Sequence, residues 1–327
     1  MSKKTVFVTF PTQRDVRRVL EEELGSLARL AYVEDVPSRE RVSVLQEVEI
    51  LLPFFLSAEL SPEELACLDS LVFLQSMLAG VDDIPFAAIP QEVTICSNGG
   101  AWADPLAEHA LGMALALGKL LFWNHGKLSR GEYDFAEKSF WFRNSVCGIL
   151  GFGGIGKAIA ALARPMGMKI HVINRSGVSD VPVDFLGSLD DLETMLRVAD
   201  VLFVTIPLTR ATKGLLGSRE LAWMKDEAIL VNVARGDIIS EKALFEHMRD
   251  HPRFKVGIDT WWNEPAEGKR FRVNYPFFRF PHFLGSPHNA NRVEGMNAVA
   301  ARSAAANIAR FLRGEAPKGV VDREEYL

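Results

Sequence analysis

The chain has 327 residues, 48% of them hydrophobic and 24% charged, with a formal net charge of −5 at pH 7. That length suggests two domains of ordinary size, each able to bury a core. The acidic balance gives no reason to expect nucleic acid or an anionic membrane as a partner. Three cysteines, Cys67, Cys96 and Cys147, stand apart without a C-x-x-C spacing and read as small buried hydrophobes in a reducing compartment. The N-terminal MSKKTVFVTF holds only a strand-length apolar run, so it is not read as a signal peptide. No uncharged apolar stretch reaches membrane-spanning length, and the expectation is a cytoplasmic protein with no metal site.

In chain order, Thr5–Phe10 reads as a strand and Gln13–Leu24 as a helix with Val16, Val19, Leu20 and Leu24 on one face. Val48–Pro53, Leu71–Met77 and Val93–Cys96 are further apolar runs, with a helix start at Ser61-Pro62. Asp104–Lys127 is the longest helical candidate, with Asp104 as N-cap. Alternation resumes later: Val201–Ile206, Ile229–Val233, Val256–Ile258 and Phe283–Ser286 as strands, Ser218–Met224 and Glu241–His247 as helices. An Ala-rich helix is expected over Asn289–Phe311. Repeated strand–helix alternation argues for an α/β protein with two doubly wound parallel sheets. Ligands in such sheets bind at the carboxyl ends of the strands.

The most informative stretch lies between residues 145 and 176. Val146–Leu150 is a buried strand, Gly151-Phe152-Gly153-Gly154-Ile155-Gly156 a glycine turn, Lys157–Met166 a helix and Lys169–Ile173 a second strand. G-x-G-x-x-G in that setting marks a dinucleotide site: Gly151 permits the tight turn, Gly153 the approach of a pyrophosphate, and Gly156 close packing of helix and strand. The first-turn N–H groups of the helix are available to phosphate. Asn174 stands where an acid usually holds the ribose 2′-hydroxyl, and Arg175-Ser176 follow. A carboxylate would repel a 2′-phosphate, whereas a guanidinium and a hydroxyl would bind it, so NADP(H) is expected over NAD(H), which stays possible.

Three titratable residues stand at the ends of late strands: Arg235 after Val231–Ala234, Glu264 before Pro265, and His288 in Ser286-Pro287-His288-Asn289. Reduction of a 2-oxo acid needs a cation for the carboxylate, a hydride donor, and an acid for the developing alkoxide. Arg235 offers a planar fork for a carboxylate, and His288 can give and recover a proton. Glu264 beside the imidazole would favour the protonated ring.

With the glycine turn, the segments VNVARGDI (Val231–Ile238), IDTWWNEP (Ile258–Pro265) and SPHN (Ser286–Asn289) resemble the arginine, glutamate and histidine motifs of the D-isomer-specific 2-hydroxyacid dehydrogenases. Ile206–Thr209, Ala107–Leu117 and Gly80-Val81-Asp82 are similar too. The resemblance implies a discontinuous, flavodoxin-like substrate domain (1–98 plus 292–327) around a central Rossmann cofactor domain (99–291), with a homodimer built through the latter. It implies Arg235 on the substrate carboxylate and carbonyl, His288 as acid/base and Glu264 as its partner. Asp259 would hold the nicotinamide carboxamide. Pro207, Val233, Ala234 and His288 would join Gly151–Gly156 and Asn174–Ser176 in the cofactor site. Ala79, Gly80 and Val81 would join Arg235 and His288 around the substrate. Trp102 and Glu264 differ from the Asn and Gln of formate dehydrogenases. By contrast, His109 fits a packing role within its helix, and of Trp261 and Trp262 one is expected in the core and the other at the cleft.

The expectation is therefore NADP(H)-dependent reduction of a small 2-oxo acid such as glyoxylate or hydroxypyruvate to the D-2-hydroxy acid. The alternatives are a redox-sensing NAD(P)H-binding protein of corepressor type, or a dehydrogenase for another small anion such as phosphite.

Overall fold

A computed structural model describes residues 3–265 and 269–327. The chain divides into two units, Met1–Trp102 with Val293–Leu327, and Ala103–Arg292. In the first, β1 (Thr5–Val8), α1 (Arg14–Leu24), β2 (Arg29–Tyr32), β3 (Ile50–Leu52), β4 (Phe73–Gln75) and β5 (Thr94–Cys96) follow in order. The strands pair in parallel in the order β2-β1-β3-β4-β5, the flavodoxin-like arrangement. The predicted face of α1 is the buried one: Val16, Val19, Leu20 and Leu24. β2 was not expected, because RLAY at a sheet edge lacks the apolar run that marks the central strands.

The second unit opens with α2 (Ala103–Gly118) and α3 (Leu121–Ser129), where one helix from Asp104 to Lys127 was expected. The break has a local cause. The Gly118 carbonyl accepts from Phe140 N–H at 2.7 Å instead of from the next turn, Lys119 Nζ donates to the Phe140 carbonyl at 2.6 Å, and Leu120 takes a left-handed φ of 55°. The helix also starts one residue early, so Asp104 lies in the first turn and is not the N-cap. Then come β6 (Val146–Leu150), α4 (Gly154–Ala163), β7 (Lys169–Ile173), β8 (Phe185–Gly187), α5 (Leu192–Val198), β9 (Val201–Val204), β10 (Ile229–Asn232), α6 (Glu241–Asp250), β11 (Lys255–Ile258) and β12 (Phe283–Gly285). The parallel order β12-β11-β10-β9-β6-β7-β8 is the Rossmann order extended by one strand. β9 and β10 are covered on both faces, which is why VLFV and ILVN read as unbroken apolar or fully buried runs.

The chain returns to the first unit as α7 (Met296–Leu312). This helix starts well after Asn289, where it was expected, because Gly295, left-handed at φ 78°, cannot lie within a right-handed helix. Its Ala300, Ala301, Ala304 and Ala305 allow close packing, Phe311 stacks on Phe73, and Asn307 bonds Gln75 at 2.6 Å. Arg323 then fastens the tail through the carbonyls of Ile89, Pro90 and Val93. Cys96 and Cys147 are buried as expected, whereas Cys67 is only half-buried, its thiol on the Glu63 carbonyl.

On α6, His247 is 8% exposed, stacked on His251 and edge-on to Phe254, and among the described residues its Nε2 has no hydrogen-bond partner. Burial, reinforced by His251, pushes its pKa down to about 4 from 6.5. The unfolded chain therefore takes the proton first, so the stability His247 contributes is complete above pH 6.5 and is lost as pH falls through 4. At most about 3 kcal/mol is at stake. The expected outcome is that His247→Phe flattens the fall in denaturation midpoint between these pH values, as read by chemical denaturation. An unchanged slope would assign the acid sensitivity elsewhere.

Candidate active site

The second unit's parallel register decides what meets at its carboxyl edge. Asn232 of β10 lies opposite Ile258 of β11, and Ile258 opposite Gly285 of β12. The segments that follow each strand therefore leave the sheet side by side, and they carry Arg235, Asp259 to Glu264, and Ser286 to His288.

The turn after β10 is pinned from within. Asn232, fully buried, accepts from Ala234 N–H at 3.0 Å and donates to the Arg235 carbonyl at 2.8 Å. Arg235 also donates from Nη1 to the Ala234 carbonyl. Gly236 follows because a Cβ there would overlap the Trp261 carbonyl carbon, so the arginine turn lies directly on the loop that bears Glu264. Asn232 had drawn no attention in the sequence, though a buried Asn among β-branched residues at a strand end is a signal for such a pin.

Glu264 and His288 form a hydrogen-bonded pair, Oε2 to Nδ1 at 2.7 Å, with both side chains partly open to solvent. The other carboxylate oxygen, Oε1, accepts from Trp261 N–H at 2.9 Å. Burial by itself would raise the Glu264 carboxyl, but the His288 contact, the Trp261 N–H and the Arg235 charge outweigh it and hold it below the usual carboxylate range. The carboxylate is thus an acceptor only, Nδ1 carries a proton, and Nε2 is the atom left to exchange one with a ligand. His288 sits in the left-handed region at φ 49°, fixed by its own N–H on the Asp259 carbonyl at 2.8 Å. A non-glycine residue in that region costs energy and is held there by its surroundings. The geometry around it supplies that restraint.

Asp259 is 1% exposed. Its Oδ1 accepts from the Ser286 hydroxyl at 2.6 Å and from Asn289 N–H at 3.2 Å, while among the described residues Oδ2 takes only the long 3.4 Å bond from Ala290. The Ser286 oxygen in turn meets His109 Nε2 at 2.9 Å. His109 thus does more than pack. Trp261 and Trp262 both pack inward: Trp261 donates to the Ser286 carbonyl, and Trp262 stacks on Phe277 and donates to the Ile239 carbonyl.

The glycine turn forms the other half of this edge. Gly151 has φ 101°, and a Cβ on it would lie 2.8 Å from Ile206 N. A Cβ on Gly156 would overlap the Gly151 carbonyl oxygen, whereas one on Gly153 would meet nothing within 4 Å. The first and third glycines are therefore demanded by the fold itself. Nothing among the described residues demands Gly153, which leaves the space beside it open. With the N–H groups of Gly154, Ile155 and Gly156 opening α4, which find no acceptor among the described residues, this cradle fits a pyrophosphate. Phe152 and Ile155 pack into the core beside it. After β7, Asn174 accepts from Gly177 N–H and donates to the Val178 carbonyl, and Ser176 joins the same turn. Asp180 in this loop pairs with Lys157 at 2.6 Å. Pro207 accepts from Thr212 through its carbonyl, and Val233 and Ala234 are buried at the end of β10.

Ala79, Gly80 and Val81 belong to the first unit, in the loop after β4. Trp102 and Asn98 both donate to the Met77 carbonyl and hold the base of that loop. Among the described residues none accepts a hydrogen bond from the N–H of Ala79, Gly80 or Val81, an arrangement able to take an anion.

Residues 111–290 match the family model described as D-isomer specific 2-hydroxyacid dehydrogenase, NAD binding domain. Among curated proteins, the chain is 30% identical to a glycerate dehydrogenase of Methylorubrum extorquens over 72% of this chain and 74% of that one. It is 27% identical to a glyoxylate reductase of Aeropyrum pernix, covering 99% and 97%. It is also 25% identical to a D-3-phosphoglycerate dehydrogenase of Methanocaldococcus jannaschii, matching over 97% of its own length but only 59% of that protein's. A crystal structure of a D-isomer specific 2-hydroxyacid dehydrogenase family protein from Aeromonas salmonicida superposes with a TM-score of 0.81 at 25% identity, covering 98% and 99%.

The two kinds of glycine separate in a simple experiment. Gly156→Ala, which must displace the Gly151 carbonyl, is expected to lower the melting temperature by several degrees, for a cost of about 1–3 kcal/mol. Gly153→Ala is expected to leave the melting temperature of the free protein unchanged while weakening dinucleotide binding about 10-fold or more in a fluorescence titration. Equal affinity in Gly153→Ala and wild type would contradict the cradle.

Proposed function

The chain belongs to the D-isomer-specific 2-hydroxyacid dehydrogenase family, and from that premise we propose that it reduces a small 2-oxo acid to the D-2-hydroxy acid with NADPH, one proton being consumed per turnover. Glyoxylate and hydroxypyruvate are the proposed substrates, in line with the glyoxylate reductase and glycerate dehydrogenase among its relatives. The observation that carries the reading is the hydrogen-bonded pair of His288 and Glu264 beside Arg235 at the edge that also bears the glycine cradle.

A bound reduced nicotinamide supplies the hydride. Arg235 holds the substrate carboxylate and draws charge from the carbonyl, as its planar fork allows. His288 gives its Nε2 proton to the substrate oxygen as C2 accepts the hydride, and recovers one from solvent. Glu264 stays ionised throughout, keeps the ring turned so that Nε2 faces outward, and stabilises its charge. Asp259 would hold the nicotinamide through its carboxamide and so orient the ring. Arg175 and Ser176 are proposed as the 2′-phosphate ligands. The reading is supported by the absence of an acid at the end of β7, where Asn174 spends both polar atoms on its own turn.

The exposed aromatic and aliphatic side chains Leu121, Leu128, Tyr133, Phe135 and Trp141 are proposed to be covered in a homodimer. Light scattering should then give about twice the 36.3 kDa chain mass, and the chain mass alone would refute the dimer.

Assays with a panel of 2-oxo acids, following loss of reduced nicotinamide, test the activity. Turnover is expected with kcat/KM for NADPH about 10–100-fold above NADH, the worth of one or two charge-assisted bonds to the extra phosphate. His288→Ala should lower kcat by about 10²–10⁴-fold. A preference for NADH would overturn the cofactor reading, and cofactor binding with silence across the panel would overturn the enzyme.

A further inference from the structure

His109 lies on α2, whose inward residues are otherwise small or apolar: Ala107, Ala110, Met113, Ala114 and Leu117. Its imidazole reaches Ser286, 177 positions away in the sequence, and through it Asp259. The proton positions in this chain of three are fixed by elementary constraints. With Asp259 as a carboxylate, it can only accept, so the Ser286 hydroxyl spends its one hydrogen on Oδ1. The Ser286 oxygen is then an acceptor for His109, and His109 must carry its proton on Nε2. Asn289 N–H adds another bond to the same Oδ1, and His109 Nε2 itself lies 3.5 Å from it. Oδ1 is crowded with donors while Oδ2, on a side chain 1% exposed, has one bond of 3.4 Å among the described residues. A carboxylate oxygen in a buried setting with so little compensation calls for another donor.

We infer that His109 and Ser286 are positioning residues: their relay saturates Oδ1 of Asp259 and leaves Oδ2 as the acceptor for the carboxamide N–H of the nicotinamide. This rests on the reading above that Asp259 faces the carboxamide. Neither residue touches the reacting atoms. They act by removing the rotational choice of the carboxylate, so that the nicotinamide binds in one orientation instead of two. Losing the relay frees the Asp259 side chain to turn, and the carboxamide loses a preset partner.

The test compares NADPH with its 3-acetylpyridine analogue, whose acetyl group has no N–H to donate. Dissociation constants are measured by fluorescence for the full chain, its Ser286→Ala, His109→Phe and His109→Gln variants, with melting temperatures recorded alongside. The wild type is expected to bind NADPH about 10-fold tighter than the analogue. In Ser286→Ala and His109→Phe that ratio should fall to about 2-fold or less, through weaker NADPH binding and unchanged analogue binding. His109→Gln, which offers an N–H near the place of Nε2, should restore at least half of the lost discrimination on a logarithmic scale. A wild-type ratio maintained in Ser286→Ala overturns the relay. A wild type that binds both nucleotides equally overturns the Asp259 assignment instead, and one that binds neither overturns the cofactor reading. Ser286→Ala leaves α2 untouched, so the test stands even where His109→Phe does not fold.

Discussion

Parallel pairing of β10, β11 and β12 is the constraint on which the chemistry of this protein depends. Because the three strands run the same way and in aligned register, three loops distant in the chain start from one edge. No side chain has to reach far. Arg235 stands three residues beyond Asn232, and Glu264 and His288 need only a short loop each to meet at 2.7 Å. An antiparallel neighbour at β11 would carry Glu264 to the opposite end of the sheet. The hydrophobic run of each strand therefore does more than fill a core: it sets where polar residues emerge.

What the sheet leaves undetermined is fixed by backbone groups. Asp259 takes the N–H groups of Asn289 and Ala290 on its carboxylate and that of His288 on its carbonyl. Those bonds support His288 in a left-handed conformation that non-glycine residues seldom adopt. Such local strain is kept only where neighbouring bonds over-determine it. Asp259, through its carbonyl and its carboxylate, thus fixes the loop that carries His288.

Much of this was legible in the sequence. The core strands announced themselves because both faces are covered, and the glycine turn because it lay between a strand and a helix. Arg235, Glu264 and His288 were visible as charges placed directly after apolar runs. The edge strands β2 and β8 were not: RLAY is too mixed to stand out, and FLG at β8 lacks the motif that follows the identical tripeptide of β12. The break at Leu120 depends on a loop that returns some twenty residues later to take the Gly118 carbonyl, which no local pattern encodes. His109 shows the same limit from the other side. Its spacing fits the buried face of a helix, and only the three-dimensional pairing of α2 with the loop after β12 reveals a polar partner.

In the proposed reaction the Nε2 proton of His288 goes to the carbonyl oxygen and exchanges with solvent, whereas the hydride goes to C2 and leaves a record in the product. NADPH carrying deuterium at C4 of the nicotinamide, prepared in each of its two configurations, can be supplied with hydroxypyruvate and the product analysed by mass spectrometry and chiral separation. One of the two labelled forms should give D-glycerate with a single deuterium at C2 while the other gives unlabelled D-glycerate. L-glycerate, label from both forms alike, or deuterium in neither product would contradict it.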